Sequence, residues 1–253
     1  MSDRIFHYTT TESLAYIISS RRIRFTRLDQ FDDVLEARTI GQFRFGEMLF
    51  ASSWVASSVE DYPQWSMYGD AMRGVRLALP KDMFEWHDFI APPEHFALRT
   101  YVPMPMSEAL GQDFMVHPFL TTSDFCKPVA YVDDVGAAWE SRTWTDGKDL
   151  VSDDPRNLAC FKDKRWEFQS EHRFVIQIHG LRKDSLAQGP VTPNFTHFDI
   201  PISQSALQSL EVTLGPLRTD ADRLIVDALL AKYAPKATVN ESSLLGAIRA
   251  KRR

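Results

Sequence analysis

The stretch FKDKRWEFQSEHRFVIQI, residues 161–178, decides the fold, because a charged and aromatic segment runs directly into an apolar strand. Alternate positions from Phe174 to Ile178 form one apolar face, while Arg173 begins the opposite face. This period of two is typical of a half-buried strand. Glu171 has the same parity as Arg173 and lies just before the apolar run. The segment therefore predicts a strand with a carboxylate at its start.

Similar short apolar runs recur along the chain, separated by turn signals and by a few helical patterns. Strands are predicted over residues 4–8, 23–26, 49–55, 75–80, 96–102, 128–133, 173–179, 197–202 and 210–216. Helices are predicted after a capping pattern at Thr9, over residues 31–49, from Pro63 and from Thr219. Strands interrupted irregularly by helices favour an α+β fold over a doubly wound parallel sheet.

The length and composition of the chain are those of a globular protein. With 253 residues, 44% of them hydrophobic and 25% charged, it can bury one sizeable core. We therefore expect a single domain over residues 1–253. The pattern is irregular between residues 81 and 158, where strand-like and loop-like segments alternate. This region is expected to be a variable insertion that shapes a substrate surface.

The charge and cysteine content exclude several classes of protein. The 34 acidic and 29 basic residues leave a net charge of -5, so a broad electrostatic footprint on nucleic acid is not expected, although a local basic groove is allowed. Only Cys126 and Cys160 are present, without the close spacing of a metal or redox motif. A disulfide scaffold is therefore excluded.

The expected location is the cytoplasm, without a membrane partner. The N-terminal MSDRIFHYTT lacks the charged start and long apolar run of a secretory signal, and no stretch reaches about 18 consecutive apolar residues. Delivery into a target cell by specialised secretion, which needs no cleaved signal, is compatible with the same sequence.

Two polar residues lead into the strand that decides the fold. Gln169 and Glu171 are two positions apart, so their side chains point to the same side if the backbone is extended. A carboxylate at the start of a strand suits the stabilisation of an oxocarbenium-like centre, which cleavage of a glycosidic bond requires. The alternative is that Glu171 pairs with Lys162, Lys164 or Arg173 on a solvated face.

Candidate ligand contacts also lie in the N-terminal third of the chain. His7 lies at the end of the first predicted strand, where a ring nitrogen can donate to a ligand hydroxyl. Trp65 and Tyr68 are three residues apart and could form an aromatic wall for a flat ring. The alternative for the histidine is an ordinary core or surface residue, and for the aromatic pair a place in the core.

An acidic cluster, FDDVLE, contains Asp32, Asp33 and Glu36. Oxygen ligands at this spacing can hold magnesium, but an aspartate at a helix start is also a cap that complements the helix dipole. No second acidic motif supports a metal site, and no phosphate loop, GxSxG, HExxH or paired CxxC motif is present. We therefore expect no metal.

Six segments in order, from FHYTT near residue 5 to the strand ending at residue 179, resemble the bacterial family catalogued as domain of unknown function 2971. Two motifs are the most specific, W-x-x-Y-x-x-x-x-x-G from Trp65 to Gly74 and K-x-x-x-W-x-x-x-x-E-x-R from Lys162 to Arg173. The sequence departs from the family pattern at FDDVLE, where Asn-Asp-Pro is more usual. It also departs at Gln169, where an acid often stands.

That family in turn resembles the ADP-ribosyltransferase fold of the His-Tyr-Glu class. The resemblance implies a split β-sandwich of mainly antiparallel strands around an NAD cleft, with peripheral helices. By position, the His-Tyr-Glu residues correspond to His7, Tyr68 and Glu171. "HYT" is similar to the His-Gly-Thr of poly-ADP-ribose polymerases, with Tyr8 in place of the glycine.

The resemblance implies an NAD-dependent ADP-ribosyltransferase or NAD glycohydrolase, an enzyme of the glycosyltransferase class. His7 would anchor an NAD ribose, Tyr68 would stack on nicotinamide, and Glu171 would bind the ribose hydroxyl and stabilise the oxocarbenium ion, while Gln169 would position the acceptor. The whole implied set consists of the catalytic Glu171 and Gln169 and the NAD-contacting His7, Tyr8, Thr9, Trp65, Tyr68 and Arg173.

The implied partners are NAD, a protein or nucleic-acid acceptor, and an antitoxin or immunity protein if the chain is a toxin or a phage-defence effector. Two alternatives stay open. One is a non-catalytic module that binds a nucleotide or a partner. The other is a metal-dependent nuclease that uses Asp32, Asp33 and Glu36.

Overall fold

The computed structural model describes residues 3–37, 44–89, 99–123, 125–146, 149–152, 154–181 and 191–249. The chain forms two compact units. The first unit consists of Met1–Ile23, Trp54–Glu85 and Pro201–Arg253, and the second of Arg24–Ser53 and Trp86–Ile200. The expectation of a single domain over residues 1–253 stays a prediction, because two such units can unfold as one cooperative domain. The predicted insertion at residues 81–158 lies mainly in the second unit.

The described residues contain six α-helices and sixteen strands. The helices are α1 (Thr11–Ser20), α2 (Tyr62–Tyr68), α3 (Met106–Ala109), α4 (Val135–Glu140), α5 (Gln204–Gln208) and α6 (Asp220–Tyr233). The strands are β1 (Arg4–Thr9), β2 (Arg22–Arg27), β3 (Leu49–Val55), β4 (Val75–Pro80), β5 (His87–Phe89), β6 (Thr100–Val102), β7 (Phe114–Val116), β8 (Cys126–Pro128), β9 (Ala130–Val132), β10 (Thr143–Asp146), β11 (Asp149–Ser152), β12 (Phe161–Asp163), β13 (Glu171–Gly180), β14 (His197–Pro201), β15 (Glu211–Leu214) and β16 (Thr238–Glu241).

The strand pairs are mostly antiparallel, with parallel pairs β15–β16 and β9–β12. This arrangement, with few helices, confirms the predicted α+β class. In the first unit β4 lies between β1 and β15, and every residue from Val75 to Leu79 is buried. Burial of five successive residues, with Arg76 among them, is typical of a central strand covered on both faces.

The first helix begins one residue later than the sequence suggests. The hydroxyl oxygen of Thr10, rather than that of Thr9, accepts a hydrogen bond from the backbone N–H of Ser13 at 3.0 Å. The last helix begins as predicted, because Thr219 and Asp222 form a complete capping box. Each cap satisfies backbone donors that the first turn of a helix leaves without partners.

The core next to α2 is built around Trp65, which is completely buried against Tyr8, Val55 and Met72. The ring of Tyr8 meets Trp65 edge to face at a centroid distance of 4.9 Å. The indole N–H of Trp65 donates to the carboxylate of Glu60 at 2.8 Å. This bond satisfies the one polar atom that burial of the indole would otherwise leave without a partner.

A strained turn follows α2. Asp70, Ala71 and Met72 all have positive φ angles, of 48°, 50° and 73°. A left-handed backbone costs a residue with a side chain roughly 1–2 kcal/mol, so the surrounding contacts must hold the turn. The turn closes onto β1 at Gly74, where an added Cβ would lie only 2.3 Å from the carbonyl oxygen of Thr9.

In the second unit, β13 is the strand around which the others pair. It pairs with β3, β7 and β8. Both of its faces are buried over most of its length, including Arg173 and Gln177 on the face predicted to be more polar. The strand is therefore confirmed in position, but it is more deeply buried than its alternation indicates.

The prediction of a helix over residues 31–49 is wrong, because the described residues of this segment contain no α-helix. Residues 31–37 and 44–48 contain turns and a short 3-10 helix at Phe45–Glu47, and β3 begins at Leu49. Val34, placed on the apolar face of the predicted helix, is 83% exposed. Gly46 packs closely against Ala37, and an added Cβ would lie 2.7 Å from the Ala37 Cα. The apolar residues of this segment are buried where separate turns pack together, and not along one face of a helix.

The described residues include no helix that is long and apolar enough to cross a membrane.

Relief of strain in the turn after α2 predicts a gain in stability. Ala71→Gly should raise the free energy of unfolding by about 0.5–1 kcal/mol, because glycine adopts positive φ without steric cost. Urea unfolding at 25 °C checks this. The matched control is Ala228→Gly on the exposed surface of α6, which should lower the free energy of unfolding by about 1 kcal/mol. If Ala71→Gly lowered the free energy of unfolding as much as Ala228→Gly does, the backbone of the turn after α2 would not be strained.

Candidate functional site

Four ionised side chains of the second unit meet in its interior near the start of β13. They are Glu36, Lys162, Glu171 and Arg173, which we call the buried quartet. Glu171 is the first residue of β13, and Arg173 points to the same side of that strand. Lys162 lies on β12, and Glu36 belongs to a turn that follows β2.

Arg173 is the most deeply buried member, with a side chain that is 0% exposed. Its Nε donates to Oε1 of Glu171 at 2.7 Å, and its Nη2 donates to Oε2 of the same carboxylate at 3.0 Å. Its Nη1 donates to the carbonyl oxygen of Ala159 at 2.7 Å and also contacts Glu36. The ring of Phe31 lies 4.9 Å from the guanidinium carbon. The guanidinium is therefore paired on all of its nitrogens.

Lys162 joins the other members of the site. Its Nζ donates to Oε1 of Gln169 at 2.7 Å and to Oε2 of Glu171 at 3.1 Å, and it lies 3.2 Å from Oε1 of Glu36. Two of the three ammonium donors are therefore used in hydrogen bonds, and Glu36 adds an ion pair. The indole ring of Trp166 adds a cation–π contact at 5.1 Å.

The buried quartet carries two positive and two negative charges. Burial by itself would raise the pKa of Glu171, but the charges of Arg173 and Lys162 outweigh burial and hold that pKa at about 2. Burial opposes the charge of Arg173 as well, yet the carboxylates of Glu171 and Glu36 raise the pKa of the guanidinium. Glu171 and Arg173 therefore both stay charged at neutral pH.

Gln169 and Glu171 converge, but not through the extended backbone that the sequence suggests. A 3-10 helix at Lys164–Gln169 ends at Ser170, whose φ and ψ are both 45° in the left-handed region. The chain therefore reverses between Gln169 and Glu171, and both side chains reach the same Lys162. The backbone N–H of Glu171 donates to the hydroxyl oxygen of Tyr131 at 2.8 Å, which fixes the start of β13.

Gln169 is only 2% exposed, and its amide oxygen is occupied by Lys162. A residue that positions an acceptor must reach that acceptor, so this role requires the short 3-10 helix at Lys164–Gln169 to move. The assignment of Gln169 to the acceptor stays a prediction.

The predicted NAD contacts are divided between the two units. Arg173 lies in the second unit with Gln169 and Glu171. The other five, His7, Tyr8, Thr9, Trp65 and Tyr68, lie in the first unit.

Within the first unit these residues have different environments. The imidazole of His7 lies at a tilt against Trp54, with ring centroids 5.0 Å apart. Tyr8 is buried, and its hydroxyl accepts a hydrogen bond from the backbone N–H of Asp61 at 3.0 Å. Trp65 is completely buried, as its alternative interpretation as a core residue requires. Tyr68 is half-buried, so it is more accessible than Trp65.

The acidic cluster FDDVLE forms neither a group of metal ligands nor an α-helix cap in the described residues. Glu36 is 1% exposed and contacts Arg173 and Lys162, while Oδ1 of Asp33 accepts from the backbone N–H of Leu35 at 3.0 Å. The described residues contain no group of three or more potential metal ligands. Asp33 therefore closes a turn rather than capping an α-helix. Glu36 was named from the sequence only as a possible metal ligand, and its contacts with Lys162 and Arg173 were not predicted.

Comparisons of the chain with protein-family models, with curated proteins and with solved structures find no match.

Charge balance in the buried quartet predicts a coupled loss of stability. Lys162→Met should lower the free energy of unfolding by about 3 kcal/mol, because it leaves an uncompensated buried carboxylate. Adding Glu36→Gln restores neutrality, so the double variant should lose about 1–3 kcal/mol less than the sum of the single losses. Urea unfolding of all three variants measures this coupling.

Lys164→Met is the matched control. Lys164 is exposed and lies 3.7 Å from Asp133, so its removal should change the free energy of unfolding by less than about 0.5 kcal/mol. If the double variant lost as much free energy of unfolding as Lys162→Met and Glu36→Gln lose together, the charges of the buried quartet would not be coupled.

The depressed pKa of Glu171 predicts acid sensitivity. Because the folded-state pKa is about 2 and the ordinary value is 4.5, this group stabilises the fold above pH 4.5 and loses that contribution as the pH falls towards 2. Other carboxylates contribute to acid unfolding, so the difference between wild type and Glu171→Gln isolates this one. The slope of unfolding free energy against pH between about 4.5 and 2 should be shallower in Glu171→Gln. Glu167→Gln, at an exposed position, should keep the wild-type slope.

Proposed function

We propose that this protein is an NAD-dependent ADP-ribosyltransferase or NAD glycohydrolase, with Glu171 as its catalytic carboxylate. One observation carries the proposal: at the start of β13 a buried carboxylate is held ionised and shares Lys162 with the preceding Gln169. The resemblance assigns the catalytic glutamate of the His-Tyr-Glu class to this position.

The chemistry requires a carboxylate of this kind. When the bond between ribose C1′ and the nicotinamide nitrogen breaks, its electron pair leaves with nicotinamide and positive charge develops on the ribose. A fixed negative charge stabilises that oxocarbenium-like state, and it is most effective in a site of low dielectric. An acceptor or water then donates an electron pair to C1′ and releases a proton. A pKa of about 2 keeps Glu171 in the required form at neutral pH.

The α+β class with mostly antiparallel strands and few helices is compatible with the finer proposal of a split β-sandwich like that of the ADP-ribosyltransferases. In this proposal His7 and Tyr68 contact NAD as the resemblance implies. The half-buried ring of Tyr68 supports its assignment as the stacking residue, because stacking requires an accessible face.

A second candidate is a module that binds a nucleotide or a partner without catalysing a reaction. It is favoured because donors within the protein already occupy the carboxylate oxygens of Glu171. A carboxylate has about four lone-pair sites. Arg173 occupies two of them, Lys162 a third, and Ser53 also donates a hydrogen bond to the group. A ribose hydroxyl must therefore share or displace one of these donors for Glu171 to act in catalysis.

Release of free nicotinamide from NAD by the purified protein distinguishes the two candidates. Wild type should release nicotinamide in the presence of a cell lysate as acceptor, and Glu171→Gln should lower the rate by at least about 100-fold, because it removes the stabilising charge. Glu167→Gln is the matched control, since it is the same substitution at an exposed position four residues earlier. It should keep the wild-type rate.

Two further measurements complete the experiment. NAD binding by calorimetry and circular dichroism of each variant separate lost chemistry from lost folding. Binding without nicotinamide release in wild type supports the non-catalytic module and rejects the enzyme. Activity on nucleic acid that disappears with a chelator would instead support the nuclease based on Asp32, Asp33 and Glu36. Retained release by a folded Glu171→Gln variant would remove this glutamate from catalysis.

A further inference from the structure

Helix α6, in the first unit, has apolar residues on two opposite faces. Its inner face buries Val226 and Leu230. On the outer face, Leu224 is 70% exposed and Ile225 is 50% exposed. An amphipathic helix at a protein surface normally places charged or polar residues on the side facing solvent. Two large aliphatic side chains on that side indicate a contact surface.

The outer face is a continuous stripe at helical spacing. It consists of Ala221, Leu224, Ile225, Ala228 and Ala231, and the three alanines are also exposed. Positions three, four and seven apart lie on one side of an α-helix, so these side chains form a single surface. Small residues at both ends of the stripe leave room for a large side chain from a partner helix.

The stripe ends in opposite charges. Asp220, at the first position of α6, is fully exposed although it lies 3.5 Å from Arg218, and Lys232, in the last turn, is exposed as well. A partner that follows this stripe must therefore present a positive charge at one end and a negative charge at the other. A second copy of α6 in the antiparallel direction meets that requirement.

We propose that the outer face of α6 binds the same face of a second copy of this chain, with the two helices antiparallel across a twofold axis. In the register that places Asp220 of one copy level with Lys232 of the other, Leu224 lies level with Ala228 and Ala221 level with Ala231. Leu224 then meets a small side chain, Ile225 lies level with the exposed Asp227, the charges at the two ends meet their opposites, and the twofold axis repeats each contact. The antiparallel helix dipoles add a further favourable contribution.

A pair of single helices buries less surface than the roughly 1,200–2,000 Å² of a standard stable interface, so the dimer is weak. Its dissociation constant is expected on the order of 10–100 μM, and lower concentrations give monomer. Sedimentation velocity of wild type over about 1–500 μM protein should therefore show a monomer that converts to a dimer.

Leu224→Glu tests the surface, because it places a charge in the centre of the stripe. The variant should remain monomeric over the whole range of concentration. The matched control is Leu245→Glu, since Leu245 is another exposed leucine of the first unit outside α6 and its replacement should leave the dimer unchanged. Thermal melting of both variants confirms that they are folded, as expected for substitutions at exposed positions.

Charge exchange tests the antiparallel register. Asp220→Lys alone and Lys232→Asp alone should each weaken the dimer, because like charges then meet. An equimolar mixture of the two variants should dimerise again, because each introduced charge meets its opposite in the partner.

A wild type that stays monomeric at about 500 μM protein would overturn the proposal. A dimer that survives Leu224→Glu would do the same. A dimer that depends on Leu224, but is not restored in the mixture of charge variants, would reject the proposed register.

Discussion

The buried guanidinium of Arg173 sets the central constraint in this protein. An arginine with no exposed surface must find acceptors for its donors inside the fold, because the cost of an unpaired buried charge is several kcal/mol. Glu171, Glu36 and the carbonyl oxygen of Ala159 provide them. These partners come from β13, from the turn after β2 and from a 3-10 helix, Pro155–Cys160, that precedes β12. One side chain therefore fixes three separate parts of the second unit.

The same ion pairs have opposite consequences for the proposed chemistry. They keep Glu171 ionised at the start of β13, which catalysis on a glycosidic bond requires. They also occupy the oxygens that a substrate hydroxyl must reach. In the proposed chemistry, a substrate hydroxyl can reach Glu171 only if Lys162 releases one of its oxygens. Lys162 can do so because Gln169 and Glu36 remain as its partners. In the proposed function, Lys162 is therefore the member of the buried quartet that would connect NAD binding with the ionisation of Glu171.

The sequence was sufficient to predict what depends on local pattern. Alternation located β13, the short segment VRLALP located β4, and Thr219 with Asp222 located the start of α6. Pairing of Glu171 with Lys162 and Arg173 was named only as an alternative and on a solvated face, whereas the structure buries both pairs. The predicted helix over residues 31–49 fails because its apolar residues fit a helical period by coincidence. The segment also contains Gly46, and glycine destabilises the interior of a helix, so the sequence itself argues against a helix there.

The contact between Glu36 and Arg173 could not be predicted from a single sequence. The two residues are far apart along the chain, and no periodicity connects a turn after β2 with a strand that begins at residue 171. Burial of Lys162 was equally hidden, because lysine is almost never fully buried unless it is paired, and its partners were not known. Local sequence indicates which residues are charged, whereas tertiary packing decides which charges meet.

The most direct test of this account is an NMR titration of the Glu171 side-chain carboxyl carbon in protein labelled with ¹³C-glutamate, assigned by comparison with Glu171→Gln. The account predicts that the resonance stays at the ionised position as the pH is lowered to about 3, because Arg173 and Lys162 hold the pKa at about 2. A transition near the ordinary value of 4.5 in folded protein would show that the carboxylate is not held by buried cations. That result would contradict the buried quartet.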